Sequence, residues 1–432
     1  MGRTKAFNKK KIRRMNDFIS QLPDEILHNI ISHLSLNEAA ATSILSARWR
    51  HQWKTVDYPT FDIDLPHLIS ISTRNKSLGK SRIVSLVSAI LDQYQGSIIQ
   101  ELKIRFPTTQ VVSFWSSEDM SPFFSWINTA FQRRVRNLVL DLQVFVLNPI
   151  DLDLLPSNFV SLVSLRLVGF KYLLGDALIH CFLSSCRSLQ VLCIDRFVGL
   201  ENLKICSSEL KRLTISDSYV NFLEISAPSL VSFEFRHISG ITVCFKDAPS
   251  LKQISLEGYN SYEHLLSKNL SPILGILSQL DSLALTQRYD SNSTRRRRIR
   301  NFPVLKNLKQ LQLSEFRLTE FYYRDLAYTL IPLLQASPEL LKLSLINFQY
   351  SFNPLKSVLK PFPMCSHRHQ CLEVVEIVGF GGSDHEIELV KFLADYAASS
   401  MKKIIVHAAN SKRLRQLKRR LPSTVVVELQ II

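Results

Sequence analysis

Long apolar runs and a dense set of cysteines are both missing from this 432-residue chain. No stretch approaches the roughly 18 apolar residues of a membrane-spanning helix, so we expect no membrane partner. No apolar segment follows the charged amino-terminal residues, and we expect no secretory signal there. The cysteines are odd in number and scattered, which argues for a reducing compartment and against a disulfide framework: Cys181, Cys186, Cys193, Cys206, Cys244, Cys365 and Cys371.

Motifs for catalysis and cofactor binding are also missing. The sequence has no Gly-rich phosphate loop, no His-Glu-x-x-His and no Gly-x-Ser-x-Gly, and Gly381-Gly382 is better explained as a turn. No cysteine has the local pattern of a nucleophile, and Cys181, Cys186 and Cys193 lie in apolar contexts that favour burial. We therefore expect the chain to be no enzyme and to need no cofactor.

One cluster of possible metal ligands stands at residues 365–371, which read Cys-Ser-His-Arg-His-Gln-Cys. In an extended segment its outer cysteines would be about 20 Å apart at ~3.3 Å per residue, too far for one tetrahedral ion. A tight loop could bring them together, but the paired spacing of zinc ligands is absent. A polar loop between repeats, with no metal, is the favoured interpretation.

The net charge of +16 is concentrated in three short runs. Residues 1–14 hold seven Lys and Arg, residues 295–300 hold five and residues 412–420 hold six, while the remainder has 35 basic and 37 acidic residues. A fold that binds duplex nucleic acid spreads basic side chains over one face, so nucleic acid is an unfavoured partner. The runs are interpreted as solvated tails and loops. The alternative is nuclear import, and the expected localisation is nucleus and/or cytoplasm.

An amphipathic helix is predicted between Leu22 and Leu34. Pro23 suits the first helical position, and the acidic residues after it complement the helix dipole. The apolar residues recur at helical spacing and form one broad stripe that needs a partner: Ile26, Leu27, Ile30, Ile31 and Leu34.

Two further short helices are predicted before Pro59. The first starts near Asn37 and runs through three alanines, and the second places Trp49, Trp53 and Val56 on one face. Three short helices in about 40 residues make a small core, so this unit is expected to lean on another surface.

Residues 17–60 resemble the F-box of plant F-box proteins. The resemblance rests on Leu22-Pro23, Ile26-Leu27, Ile30, Leu34, the segment 42–49 and Trp53, while Gln52 stands where Leu is commoner. It implies docking to a Skp-type adaptor, which in turn holds a cullin and the ubiquitin-transfer machinery. A three-helix cap that only shields the next domain is the alternative. The adaptor-facing positions that the resemblance implies are Leu22, Pro23, Ile26, Leu27, Ile30, Leu34 and Trp49.

A second pattern recurs twelve times from residue 99 onward: an apolar residue, two variable residues, an apolar residue, one variable residue and an apolar residue. It is typical of leucine-rich repeats (LRRs) with one short strand each. Stacked repeats share a core and build a parallel sheet along a concave surface. The triplets begin at Ile99, Val135, Leu162, Leu189, Leu210, Leu230, Leu251, Leu280, Leu308, Leu340, Leu372 and Met401.

The variable residue between the last two apolar positions is predicted to face outward on the concave surface, where a target protein would bind. These residues are chemically mixed and indicate no ligand class. Examples are Arg166, Cys193, Thr214, Glu234, Ser255, Ala284, Gln312, Ser344, Glu376 and Ile405.

The backs of the repeats are predicted to differ along the chain. Helical patterns occupy residues 176–186 and 322–336, whereas strand-like segments recur about every ten residues between 200 and 256. Residues 287–301 are predicted to be a disordered or protruding loop. The chain from residue 363 resembles the FBD-type segment of plant F-box proteins, with a strand–helix–strand that closes the array.

The predicted fold class is therefore α/β: an N-terminal three-helix F-box followed by a curved LRR solenoid with a parallel β-sheet on its concave face. The expected units are a basic tail at 1–16, the F-box at 17–60, the solenoid at 80–362 and the C-terminal segment at 363–432. The resemblance implies a substrate-recognition subunit of a Skp–cullin–F-box (SCF) ubiquitin ligase. A non-degradative scaffold is the alternative, and a nucleic-acid-associated protein is the third candidate.

Overall fold

The computed structural model describes most of the helical unit and the repeats. The described residues are 18–34, 36–56, 60–64, 80–96, 99–105, 113–115, 121–146, 158–171, 175–238, 241–259, 274–288, 303–314, 317–318, 323–347, 349–350, 368–408, 417 and 426–431. The basic runs (except residue 417), the predicted loop beyond residue 288, Cys365 and His367 lie outside them. Among the described residues, no helix combines the length and apolar character that a membrane crossing demands.

A small helical unit comes first. It contains helix α1 (Asp24–Ser32), helix α2 (Leu36–Ala41) and three 3-10 turns at Ile19–Gln21, Thr42–Ile44 and Trp49–Lys54. Helix α1 begins one residue later than predicted, because Pro23 is extended and its carbonyl accepts from the amides of Ile26 and Leu27. Trp49, Trp53 and Val56 are all buried, as their shared face predicted.

Twenty strands follow in the described part of the chain, and each is short. They are β1 (Thr60–Asp64), β2 (Glu101–Arg105), β3 (Ser113–Trp115), β4 (Asn137–Val146), β5 (Ser164–Lys171), β6 (Val191–Asp195), β7 (Leu200–Cys206), β8 (Arg212–Ser216), β9 (Val220–Ser226), β10 (Ser232–Ile238), β11 (Thr242–Asp247), β12 (Gln253–Tyr259), β13 (Ser282–Arg288), β14 (Gln310–Ser314), β15 (Arg317–Leu318), β16 (Lys342–Ile346), β17 (Gln349–Tyr350), β18 (Val374–Val378), β19 (Lys403–Ala408) and β20 (Val426–Ile431).

Fifteen of these strands form one parallel sheet, the main sheet. Its order is β1-β2-β4-β5-β6-β8-β10-β12-β13-β14-β16-β18-β19-β20, with β3 beside β4. All twelve predicted repeats contribute a strand to it, which confirms the solenoid prediction. The period-2 pattern puts alternate residues inside: Leu165 and Leu167, for example, are fully buried.

Six further helices lie between strands in the described ranges: α3 (Lys80–Gln93), α4 (Ser121–Gln132), α5 (Gly175–Ser185), α6 (Leu274–Leu277), α7 (Tyr323–Ala336) and α8 (Asp384–Tyr396). Helices α5 and α7 confirm the two helical backs predicted from the sequence. Helix α8 lies between β18 and β19, which confirms the predicted strand–helix–strand. It starts with a reciprocal cap, in which Ser383 Oγ accepts from the Glu386 amide and Glu386 Oε2 accepts from the Ser383 amide at 2.7 Å.

A second, three-stranded parallel sheet replaces helices on the back of the central repeats. Its order is β11-β9-β7, and its strands alternate along the chain with strands of the main sheet. The prediction of extended backs between residues 200 and 256 is therefore confirmed.

Three strands of the main sheet were not predicted: the three-residue strand β3 and the two end strands, β1 and β20. Strand β1 pairs with β2 and buries Phe61 and Ile63 completely, so the sheet begins beside the helical unit. Strand β20 pairs with β19 at the other end. Each end segment carries only two or three alternating apolar residues, so its period-2 pattern is too short to stand out in the sequence.

The helical unit is joined to the first repeats by polar contacts that include the backbone. The carbonyl of Lys54 accepts from the amides of Gln95 at 2.7 Å and Gly96 at 3.0 Å. Arg133 donates to the carbonyls of Gly96 at 2.5 Å and Tyr94 at 2.6 Å. The helical unit therefore packs against the repeat array of the same chain.

Candidate functional site

Helix α1 carries two apolar stripes, whereas a single broad stripe was predicted from the sequence. Leu27 and Ile31 are fully buried and belong to the hydrophobic core that also contains Trp49 and Trp53. Ile26 and Ile30 are 45% and 40% exposed. Residues four apart share a face of a helix, whereas neighbours are turned about 100° apart, so one stripe faces the core and the other faces solvent.

The predicted adaptor-facing residues therefore fall into two groups. Pro23, Ile26 and Ile30 are exposed, and Leu22 and Leu34 are half-buried. Leu27 and Trp49 are 0% and 2% exposed, so they lie in the core of the unit, and their contact with an adaptor stays a prediction. Apolar spacing alone does not separate the stripe that packs inward from the one that faces outward.

Four exposed apolar residues were missing from the predicted set. Phe18 and Ile19 are 70% and 56% exposed before the helix, and Ile44 and Leu45 are 87% and 58% exposed after it. The adjacent pair Ile44-Leu45 stands between small polar residues, and this pattern could have identified it. We name the F-box surface by its exposed members Ile19, Pro23, Ile26, Ile30, Ile44 and Leu45.

Polar contacts hold the start of helix α1 in place. Arg48 Nη2 donates to Asp24 Oδ1 at 2.6 Å, and Gln52 Nε2 donates to the same oxygen at 3.1 Å. The Arg48 guanidinium lowers the pKa of the Asp24 carboxyl below its usual value. Gln52 Oε1 accepts from His28 Nε2 at 2.6 Å, so the unusual glutamine bridges two polar residues of α1.

The outward residues of the main sheet stand in one line, as predicted. Strand register pairs each of the ten with the next along the sheet, from Arg166 beside Cys193 to Glu376 beside Ile405. Charged members of this face are mostly paired with neighbours. Arg236 lies 2.8 Å from Glu234, and Lys342 lies 2.7 Å from Glu376. The Lys342 ammonium lowers the pKa of the Glu376 carboxyl.

His369, a member of the possible metal cluster, forms hydrogen bonds with backbone groups through its imidazole ring. Its Nδ1 accepts from the amides of Cys371 at 3.2 Å and Leu372 at 3.0 Å, and its Nε2 lies 2.9 Å from the Ser337 carbonyl, to which it donates. His369 is buried, and both of its ring nitrogens are engaged in hydrogen bonds with the backbone near the start of β18. Within the described ranges, no three His, Cys, Asp or Glu residues could share an ion.

Two of the described cysteines, Cys186 and Cys193, have raised thiol pKa values. Burial raises the pKa of Cys186 to about 12, and burial also raises the pKa of Cys193. A thiolate is the reactive form, so these shifts lower the reactivity of both thiols at neutral pH.

Comparison with known proteins finds two family models on the chain. The model described as At1g61320/AtMIF1, LRR domain, matches residues 97–428, and the F-box domain model matches residues 19–60. The putative FBD-associated F-box protein At5g56820 of Arabidopsis thaliana is 29% identical over 93% of this chain and 88% of that protein. Two more proteins of that organism, putative F-box/FBD/LRR-repeat protein At3g49030 and F-box/FBD/LRR-repeat protein At5g22660, are 28% and 30% identical. Their alignments cover 61% and 52% of this chain but less than two thirds of those proteins, 62% and 41%.

Proposed function

The chain belongs to the At1g61320/AtMIF1 LRR-domain family and carries the F-box of a substrate adaptor, and from that premise we propose that it is the substrate-recognition subunit of an SCF ubiquitin ligase. Its F-box surface binds a Skp-type adaptor and, through it, a cullin. Its LRR concave face binds the target protein. The chain itself has no catalytic step: it holds a target lysine near activated ubiquitin and so raises the effective concentration of the reacting groups.

The observation that carries the proposal is the outward apolar stripe of helix α1. Ile26 and Ile30 remain about half exposed although the unit has filled its own core with Leu27, Ile31 and the tryptophans. Single exposed apolar residues need no explanation, but this small unit exposes six large apolar side chains within residues 18–45. A partner protein that buries them gains roughly 25 cal/mol per Å² of apolar area.

The repeat array supports the second half of the proposal. Eleven consecutive strands from β4 to β19 present an ordered outward row, and paired charges hold its side chains in place. A rigid, chemically mixed surface of this kind suits recognition of a folded or extended protein segment.

Adaptor capture by the full chain tests the docking step. The double variant Ile26→Ser/Ile30→Ser changes two exposed residues of the F-box surface and should lose capture of a co-expressed Skp-type adaptor. The matched control, Val160→Ser/Val304→Ser, changes two residues that are 56% and 53% exposed on the repeats and should retain it. Equal capture by both variants contradicts the docking proposal.

Ubiquitylation of the bound target separates the ligase from the alternative scaffold. A ligase subunit requires the F-box surface for modification of a protein that the repeats bind, whereas a scaffold binds it without modification. Purification from cells with the proteasome blocked, followed by mapping of adaptor-dependent ubiquitin sites, distinguishes the two. Imaging a fluorescent fusion with and without residues 1–14 tests the proposed nuclear and/or cytoplasmic localisation.

A further inference from the structure

Backbone hydrogen bonds align one residue per repeat along the edge where the main-sheet strands begin. The Lys211 carbonyl accepts from the Val231 amide at 2.8 Å, and the Val231 carbonyl accepts from the Lys252 amide at 2.9 Å. The same contact links Lys252 to Asp281 at 2.8 Å and Asp281 to Lys309 at 2.9 Å. We call these five residues the edge row. Neighbouring strands lie about 4.8 Å apart, so successive lysines of the row are about 10 Å apart.

The three lysines of the edge row are exposed and unpaired. In the described part of the chain, no carboxylate lies within 4.0 Å of Lys211, Lys252 or Lys309. Other lysines of the sheet are paired: Lys342 and Lys403 on the outward face each contact a glutamate, and so does Lys402, which continues the same edge beyond the row. The edge row is therefore a regular array of free positive charge beside a face whose charges are neutralised.

Apolar and acidic residues separate the lysines. Val231 stands between Lys211 and Lys252 and is 39% exposed. Asp281 stands between Lys252 and Lys309 and pairs with neither. A ligand that fits the row must carry negative charge at about 10 Å intervals and avoid negative charge in between.

We propose that the edge row binds an extended acidic segment of the target protein with an acidic residue at every third position. In a polyproline II segment, three residues complete one turn and advance about 9.3 Å, so residues i, i+3 and i+6 project from the same side at that spacing. Each acidic side chain then faces one lysine, and the residues between them pass Val231 and Asp281. A nucleic acid fits less well, because it carries a phosphate at every nucleotide and would place charge beside Asp281.

This inference rests on the proposed function in one respect, that the repeats bind a protein target. Its test uses no adaptor, so its failure leaves the docking experiment above unaffected. The measurement is fluorescence anisotropy at low salt with the full chain. The probe is a labelled proline- and alanine-rich peptide with glutamate at every third position, and its isomer has the same glutamates side by side.

The decisive variant is Lys211→Gln/Lys252→Gln/Lys309→Gln, and its matched control is Arg50→Gln/Arg187→Gln/Lys204→Gln, which removes three exposed charges elsewhere. We expect the spaced peptide to bind the native chain about tenfold more tightly than the isomer. The edge-row variant should bind the spaced peptide with about tenfold lower affinity and with a shallower salt dependence. The control variant should bind it with the affinity of the native chain.

Three outcomes overturn the proposal: equal binding of the two peptides, equal loss in both variants, or preferential binding of a single-stranded oligothymidylate of matched charge. The last result assigns the row to nucleic acid instead. All six substituted side chains are exposed, and circular dichroism melting of the variants verifies that they fold.

Discussion

The hydroxyl of Tyr94 donates to the carbonyl oxygen of Val56 at 2.9 Å. Tyr94 follows the helix α3 that precedes the first predicted repeat, and Val56 ends the helical unit, so this bond ties the two parts of the molecule together. Tyr94 is 1% exposed, and its ring also contacts Phe61 of β1 at a centroid distance of 4.7 Å. The orientation of the F-box relative to the repeats is therefore built into a shared core.

Substitution Tyr94→Phe should lower the free energy of unfolding by about 1–2 kcal/mol, because it removes the donor to a buried carbonyl while keeping the ring. Urea denaturation of the full chain measures this change. Tyr219→Phe is the control, since Tyr219 is 75% exposed. An equal effect of the two substitutions contradicts the buried bond.

Neighbouring residues of helix α1 should respond in opposite ways to truncation. Leu27→Ala opens a cavity in the core and should cost about 2–5 kcal/mol of stability. Ile26→Ala removes a 45% exposed side chain and should cost less than about 1 kcal/mol, yet weaken adaptor capture. Urea denaturation and adaptor pull-down measure the two effects. Loss of capture in a folded Leu27→Ala protein, with Ile26→Ala unaffected, would reverse the assignment of the stripes.

Thiol reactivity should separate Cys206 from Cys186. Cys206 is exposed, whereas burial raises the pKa of Cys186 to about 12. Iodoacetamide at neutral pH should modify Cys206 in the native chain and Cys186 only in concentrated urea, as mapped by mass spectrometry. Because the folded pKa of Cys186 exceeds its usual value of 9.0, its contribution to the stability of the fold is lost as pH rises from about 9 toward 12. Rapid native labelling of Cys186 is the contradicting result.

The Glu376 carboxyl should make stability depend on acid pH. Lys342 lowers its pKa below the usual 4.5, and Ser344 and His407 also face it. A lowered carboxyl pKa stabilises the fold above the unfolded value, and this contribution is lost as pH falls through the folded pKa. Lys342→Met should therefore destabilise the chain at pH 7, and the difference from the native protein should shrink below about pH 4.5.

Lys309→Met is the control for that pH series, because Lys309 has no carboxylate partner among the described residues. Urea denaturation across the pH range should give a constant difference between this variant and the native chain. A parallel pH profile for Lys342→Met contradicts the role of the pair.

Local periodicity predicted most of the repeat array, because the apolar triplet of each repeat is enough to indicate its strand. The outward position of Glu234, for example, follows from Phe233 and Phe235 on either side of it. Strand β1 could not be predicted in this way, since Phe61 and Ile63 become a repeat only through pairing with β2.

Contacts between distant residues set the limits of prediction at the candidate site. The bridge from Asp24 to Arg48 joins residues 24 positions apart, and nothing local indicates it. The burial of Leu27 and Trp49 was not predicted, because the sequence gives the spacing of apolar residues but not which stripe the rest of the unit covers. Similarly, the free charge of the edge row depends on which carboxylates its lysines fail to reach.

Because the sheet is continuous between β1 and β20, the number of repeats sets the distance of a residue from the helical unit. The helical unit is fixed beside β1, and each further strand adds about 4.8 Å. Lys211 directly precedes the sixth strand of this path and Lys309 directly precedes the tenth, so they lie about 24 Å and 43 Å along the sheet from β1. Deleting one repeat between them and β1 would leave both binding surfaces intact but shift a bound target by one strand spacing. Under the function proposed above, the length of the array selects which lysines of a target come within reach of ubiquitin transfer.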